Sequence, residues 1–335
     1  MPAFDHLLRL SDDTGLLEHA NGATPRREHG YCLDDVARGL VVLAREPDPP
    51  AALRQLLERY LAFTAHAQDS NGAFRNRLGY DRRWQDRPDT GDWWGRALWG
   101  LGTVAARATI PRLRAEALAA FALGATQRSP WPRAIAFATL GGAEVLSRYP
   151  GHRSARALLK AASRSLGRPG TDPEWPWPEP RLGYANAALA QALIVVGHHE
   201  HDDTLADHGL RLLRWLLHTE TRGEHLSLVP TRGWRPPEPR PAYDQQPIEA
   251  AALADACATA WTLTADQHWK AGLRRSIAWF TGDNDHGVPM MDPDTGGGFD
   301  GLTDTAVNTN QGAESTLALL STLQYARNLE GGLPD

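Results

Sequence analysis

Cysteine is nearly missing from this chain: Cys32 and Cys257 are the two in 335 residues, and neither belongs to a C-x-x-C pair. A disulfide framework and a sulfur-held structural zinc are therefore excluded, and both residues read as reduced, small buried thiols of a cytoplasmic protein. No stretch approaches the roughly 18 apolar residues of a membrane span. The opening Met1-Pro2-Ala3-Phe4-Asp5-His6 lacks a basic segment followed by an apolar run, so the expectation is a soluble, unexported chain. Charge of one sign is lacking too. Lysine plus arginine (35) against aspartate plus glutamate (40) leaves −5, scattered rather than blocked, which excludes nucleic acid and an anionic membrane surface as partners. Gly296-Gly297-Gly298 lacks the lysine and the strand-loop-helix setting of a phosphate cradle and reads as a close backbone approach to Asp300 or a ligand. His198-His199-Glu200-His201-Asp202-Asp203 lacks ordered ligand spacing, so no metal and no cofactor is expected.

Strand-like alternation is almost absent, and helical periodicity takes its place. A first helix is expected from Phe4 to His19, interrupted around Asp12 to Gly15. Pairs follow at 33–45 and 52–68, 91–107 and 111–125, 131–148 and 152–166, 184–198 and 203–219, 247–263 and 266–281, with a last helix at 311–328. The first member of each pair, such as Ala187-Ala188-Leu189-Ala190-Gln191-Ala192-Leu193-Ile194, is apolar around most of its circumference, as a helix surrounded by protein must be. The second member, such as Leu53-Arg54-Gln55-Leu56-Leu57-Glu58-Arg59-Tyr60, carries charge on one face and looks outward. Six inner and six outer helices make an all-α (α/α)6 toroid, expected as a single domain over 1–335. Links into inner helices are long and rich in Trp, Gly, Pro and Asp (69–90, 167–183, 220–246, 282–310), so they gather at one mouth together with the inner-helix N-termini.

Tryptophan is abundant, with 12 beside seven Phe and seven Tyr. Broad indole faces with an N–H donor match the C–H faces and hydroxyls of sugars; the plain alternative is that they fill a large helical core. The inner-helix entrances supply the candidate binding residues: Tyr31, Asp34 and Arg38; Asp92, Trp93, Trp94 and Arg96; Arg133; Trp177, Tyr184 and Asn186; Gln245 and Gln246; Asp300, Asn310 and Gln311. Convergent polar groups among aromatics suit a small oligosaccharide. Glycoside cleavage needs a proton donor with raised pKa and a second carboxylate. Glu249 and Glu314, each about one turn into an inner helix, are the leading pair, with Asp35 and Asp244 in reserve and Asp92 and Asp300 next. The competing readings are helix capping for Asp34 and Asp92 and an internal ion pair for either glutamate. Asp34 with Arg38 and Asp92 with Arg96 have i,i+4 spacing and are expected to pair within their helices. Were Arg38, Arg96 and Arg133 instead to face the funnel, they would hold inorganic phosphate or a sugar carboxylate and favour phosphorolysis.

Tyr31-Cys32-Leu33-Asp34-Asp35, Trp175-Pro176-Trp177, Tyr243-Asp244-Gln245-Gln246-Pro247-Ile248-Glu249-Ala250, Gly296 to Leu302 and Asn310-Gln311-Gly312-Ala313-Glu314-Ser315-Thr316 together resemble a bacterial family of (α/α)6-toroid proteins. Its members occur alone or fused to glycosyltransferases, often near mannoside phosphorylases. The resemblance implies the toroid and carbohydrate metabolism, with a glycosyltransferase as a partner, and it assigns no single reaction. Ala185 stands where the family pattern has an acid, so no role carries over to that position. The expected function is a glycoside hydrolase acting on a small mannose- or glucose-type oligosaccharide. Alternatives are a phosphorylase, a sugar 2-epimerase and a non-catalytic glycan-binding module. Epimerisation needs a histidine pair, and the histidines near the mouth, His29 and His286, lie outside the inner helices.

Overall fold

A computed structural model describes residues 3–230 and 232–331. The chain divides into two compact units, an N-terminal one of Leu7–Leu166 and a C-terminal one of Met1–His6 with Gly167–Asp335. Twelve α-helices occur among the described residues, beginning with α1 (Asp5–Leu10).

The first helix is shorter than the sequence led us to expect. Asp12 Oδ1 accepts from the N–H groups of Thr14 (2.8 Å) and Gly15 (3.1 Å), closing a turn that competes with helix. Beyond it Leu16 and Leu17 form β-bridges to Ser11 and Tyr31. A short ladder, β1 (Ala20–Asn21) with β2 (Thr24–Pro25), follows. Next come β3 (Tyr31–Cys32), α2 (Leu33–Ala44), α3 (Ala51–Ala67), and β4 (Arg77–Leu78), which pairs with β3. The N-terminal unit closes with α4 (Asp92–Arg107), α5 (Pro111–Gly124), α6 (Pro132–Arg148) and α7 (Arg153–Ser165).

Within this unit α4 lies between α2 and α6, while α3, α5 and α7 cover α2, α4 and α6 in turn. Every residue of α4 from Trp94 to Ala106 is buried, whereas α7 buries the stripe Ala155, Leu158, Leu159 and Ala162. Those are the all-round and one-sided patterns read from the sequence. Glycine is what lets the inner helices meet: a Cβ on Gly102 would strike the backbone of Gly141, and one on Gly141 the carbonyl of Leu98.

The C-terminal unit repeats the scheme. It holds α8 (Asn186–Glu200), α9 (Asp203–Thr219), the ladder β5 (Thr221–Arg222) with β6 (His225–Leu226), α10 (Pro247–Thr264) and α11 (Gln267–Thr281). The ladder β7 (Gly301–Leu302) with β8 (Val307–Asn308) precedes α12 (Ala313–Gly331). Here α10 lies between α8 and α12, α9 covers α8, and α11 packs on α10 and α12. Tyr325 on α12 donates to Asp255 on α10 (2.5 Å), and Gln191 on α8 donates to Thr259 on α10 (2.9 Å). The inner helices are thus joined by polar pairs as well as by small-residue packing.

Three of the outer helices start differently from the inner ones, while α3 and α5 likewise lack a side-chain cap. Outer helices α7, α9 and α11 carry their own side-chain caps, from His152, Asp202 and Asp266. The residues preceding α2, α4, α6, α8 and α10 give none. Several of these inner helices draw a partner from far along the chain instead, and that bears on which acids are available for chemistry.

Candidate active site

In the N-terminal unit the leading ends of α2, α4 and α6 assemble a charged cluster. Asn76, in the loop before α4, accepts from the Asp34 N–H (3.2 Å) and the Cys32 thiol (3.3 Å), taking the place of a cap on α2. Asp34 and Asp92 are first-turn residues whose side chains cap nothing. Arg38 pairs with Asp34, as its spacing predicts, and donates to Asp35 Oδ1 at 2.8 Å. Arg96 does not pair with Asp92: its Nε lies 3.0 Å from Asp34 Oδ1, across from α4 to α2, and its guanidinium lies 3.9 Å over the Phe137 ring. A cross-helix carboxylate is the better partner because Arg96, 3% exposed, is a buried guanidinium that needs a charged acceptor within reach.

That exchange leaves Asp92 without a direct partner: its carboxyl is half-buried and makes no hydrogen bond or ion pair among the described residues. Burial pushes its pKa above the ordinary carboxylate value. Arg96 pulls it down, Asp34 pushes it further up, and Arg133 and Arg38 pull it down again. A carboxyl group with a raised pKa thus stands near a second carboxylate, Asp34, held by two arginines. Two acids in contrasting surroundings are the arrangement that general acid catalysis requires.

Asp35 is 4% exposed and pairs with Arg38, which leaves it little access to a ligand. Ligand atoms of Glu18, Cys32 and Asp35 come within 4.8 Å of one another. Both carboxylates are already taken, Glu18 by Arg77 and Asp35 by Arg38, so a cation would have to displace two guanidinium groups. Burial first, then the charges of Asp35, Asp34 and Glu18, push the Cys32 thiol up, which removes it as a nucleophile.

In the C-terminal unit the acids are differently employed. Glu249, expected as one of the catalytic pair, is 4% exposed, and its carboxylate accepts from the N–H of Ala185 (2.5 Å) and from the N–H and side-chain amide of Asn186 (both 3.4 Å). It lies on α10 and caps α8. Ala185 takes a left-handed conformation, φ 47°, that turns its N–H toward this carboxylate. Beneath Glu249 lies a group the sequence reading missed. Glu220, fully buried at the end of α9, accepts from the Val229 N–H (3.1 Å) through one oxygen, while the other has no hydrogen-bond partner. Burial and the nearby Glu249 charge push it up to about 8, against the Val229 hydrogen bond and Arg240. Nothing in the sequence distinguishes Glu220 from an ordinary surface glutamate at a helix end.

Asp300 serves α12 in the same way, accepting from the Gly312 N–H (2.8 Å) and Ser315 Oγ (2.7 Å). Burial also takes several expected ligand contacts out of reach. Gln245 is fully buried, donating to Asp285 Oδ2 (2.5 Å) and accepting from Trp279 Nε1 (3.0 Å). Gln311 accepts from Thr295 (2.6 Å) and donates to Asp292 (2.8 Å). Asn186 is bonded to Gly183 and Glu249. Tyr31 donates to Asp12 (2.6 Å), Trp94 to the Gly124 carbonyl (3.1 Å), and Trp177, stacked on Trp215, to Glu179 (3.3 Å). These aromatics hold loops in place. Trp93 is half-buried and spends its N–H on the Phe74 carbonyl. Gln246, Asn310 and Glu314 are half-buried, and Tyr184 and Asp244 are exposed.

No family model matches the chain, and no curated protein matches its sequence. Solved structures do match. A sugar epimerase from a ruminal bacterium has a TM-score of 0.73 at 10% identity, over 99% of this chain and 96% of that one. The cellobiose 2-epimerase of Spirochaeta thermophila has a TM-score of 0.70 at 12% identity, over 97% and 93%. The GH76 α-mannanase of Bacteroides thetaiotaomicron has a TM-score of 0.62 at 10% identity, over 90% and 87%. The chain has the (α/α)6 toroid fold. Identities this low carry the toroid alone, and the toroid hosts several chemistries, so function rests on the site.

Proposed function

We propose that this toroid is a glycoside hydrolase acting on a small mannose- or glucose-type oligosaccharide, with Asp92 as general acid and Asp34 as the second carboxylate. The observation that carries the reading is the isolation of Asp92. It is half-buried, without an ion pair, and has a raised pKa beside a carboxylate held by Arg38 and Arg96. In the reaction the Asp92 proton passes to the glycosidic oxygen as the bond to the anomeric carbon breaks, and the leaving sugar departs as an alcohol. Water adds to that carbon as Asp34 takes one of its protons, which leaves a free hydroxyl on the product, and exchange with solvent returns a proton to Asp92.

Hydrolysis is favoured over phosphorolysis because Arg38 and Arg96 are engaged by Asp34 and Asp35, which suits a neutral sugar better than an added anion. The likeness to two epimerases supports a second reading, 2-epimerisation. Against it, histidine occurs on the inner helices only at the trailing end of α8, as His198 and His199, and His286 is bonded to the Thr303 carbonyl. The family resemblance in the sequence adds a glycosyltransferase partner and a role as a glycan-binding module to the readings open to test.

Incubation with α- and β-linked manno- and gluco-oligosaccharides, with and without inorganic phosphate, followed by chromatography of the products, tests the proposal. Shorter sugars released in phosphate-free buffer are expected. Release that needs phosphate would mean phosphorolysis, a mannose-for-glucose exchange at the reducing end would mean epimerisation, and an unchanged panel would contradict enzymatic action on these sugars.

A further inference from the structure

Trp131 is the one exposed tryptophan among the described residues, at 59%, and it stands immediately before the first turn of α6. An indole of this size normally finds cover. Trp131 has little: among the described residues its ring meets no other ring or cation, and its Nε1–H makes no hydrogen bond. The backbone beneath it is, by contrast, firmly held. Pro130 and Pro132 flank it, its N–H donates to Ser129 Oγ (3.1 Å), and its carbonyl accepts the first bond of α6 from Ile135 (3.0 Å). Tyr80, also exposed, differs in lying on Tyr31 with Arg27 5.9 Å from its centroid.

The position relative to Asp92 follows from the packing of α4 on α6. A Cβ on Gly95 would lie 2.7 Å from Ala134 Cα, so the leading turns of the two helices touch backbone to backbone. Asp92 is three residues before Gly95, and Trp131 is three residues before Ala134. Trp131 therefore stands on the end of α6 that lies beside the leading turn of α4, where Asp92 is, on a fixed backbone and with its indole exposed.

We propose that Trp131 is a sugar-stacking platform that binds a second or third residue of the substrate, making the enzyme one for oligosaccharides rather than for simple monosaccharide glycosides. The inference rests on the carbohydrate reading above. One sugar ring lies on the indole face, and a hydroxyl accepts from Nε1–H.

The test is calorimetric titration of mannotriose and cellotriose into three proteins: Asp92→Asn, which leaves the ligand uncleaved, and the same protein with Trp131→Ala or Trp131→Phe added. Expected is binding of at least one trisaccharide by Asp92→Asn, weakened about tenfold by Trp131→Ala and restored to within about threefold by Trp131→Phe. Equal binding by Trp131→Ala, a Phe variant as weak as the Ala variant, or no trisaccharide bound by Asp92→Asn would each overturn the inference. The hydrolase reading falls separately, if the unaltered protein cleaves nothing. A Trp131-dependent affinity without cleavage would uphold the platform and refute the hydrolase.

Discussion

Glu220 offers a quantitative test of how the C-terminal unit handles its buried acids. Its side chain is fully buried, with one oxygen on the Val229 N–H and the other unpartnered, and burial with the Glu249 charge raises it from 4.5 to about 8. Between those values the folded protein keeps a proton that the unfolded chain has released. The contribution to stability is therefore complete below pH 4.5 and is lost as pH rises through 8. At no more than about 1.36 kcal/mol per pH unit, and with the slope falling off near both values, the loss between pH 5 and pH 8 is on the order of 3 kcal/mol. Glu220→Gln keeps the shape of the protonated acid and does not titrate. Urea unfolding of both proteins at pH 5, 6, 7 and 8 should show the stability of the variant minus that of the parent rising with pH, by on the order of 3 kcal/mol in all, and flattening toward pH 8. A difference that stays constant with pH would refute the reasoning, since it would mean that Glu220 ionises as freely in the fold as out of it.

Two further outcomes follow from the same geometry. Glu249→Ala removes the acceptor for the first amides of α8 and should cost about 1–3 kcal/mol at pH 5, read by urea unfolding, while leaving the rate of sugar cleavage within about threefold. A collapse of turnover with stability intact would return Glu249 to the catalytic role the sequence suggested. Cys32 and Cys257 are buried thiols, both pushed up first of all by burial, so a disulfide-exchange reagent at pH 8 should titrate no thiol in the native protein and two after unfolding.

The helical architecture was legible in the sequence because the inner and outer helices solve different packing problems. A helix such as α8, enclosed on all sides, must be apolar and small almost everywhere, whereas α7 needs only a stripe, and both patterns survive in one dimension. The N-terminal segment misled because Asp12 can bond its own backbone two and three residues on, a local choice that outweighs the apolar spacing of Leu16 and Leu17. The site was less legible, and for a consistent reason. Inner helices borrow acceptors from distant segments: Asn76 for α2, Glu249 for α8, Asp300 for α12. In the sequence Glu249 looks like a first-turn acid of its own helix, and nothing local shows that its carboxylate is spent on another. Arg96 repeats the lesson, since its i,i+4 neighbour Asp92 loses to Asp34 on the adjoining helix. Aromatic content was similarly ambiguous: Trp94 and Trp177 are packed and Trp131 is bare, although all three sit at inner-helix entrances or in the loops before them.

Asp92→Asn tests the central claim most directly. Measured on whichever oligosaccharide the unaltered protein cleaves, the substitution should lower kcat by roughly 10²–10⁴-fold, the range for removing a general acid, with the affinity for that sugar retained. Cleavage by Asp92→Asn within about threefold of the unaltered rate would contradict the assignment and leave the charged cluster at α2, α4 and α6 a structural one.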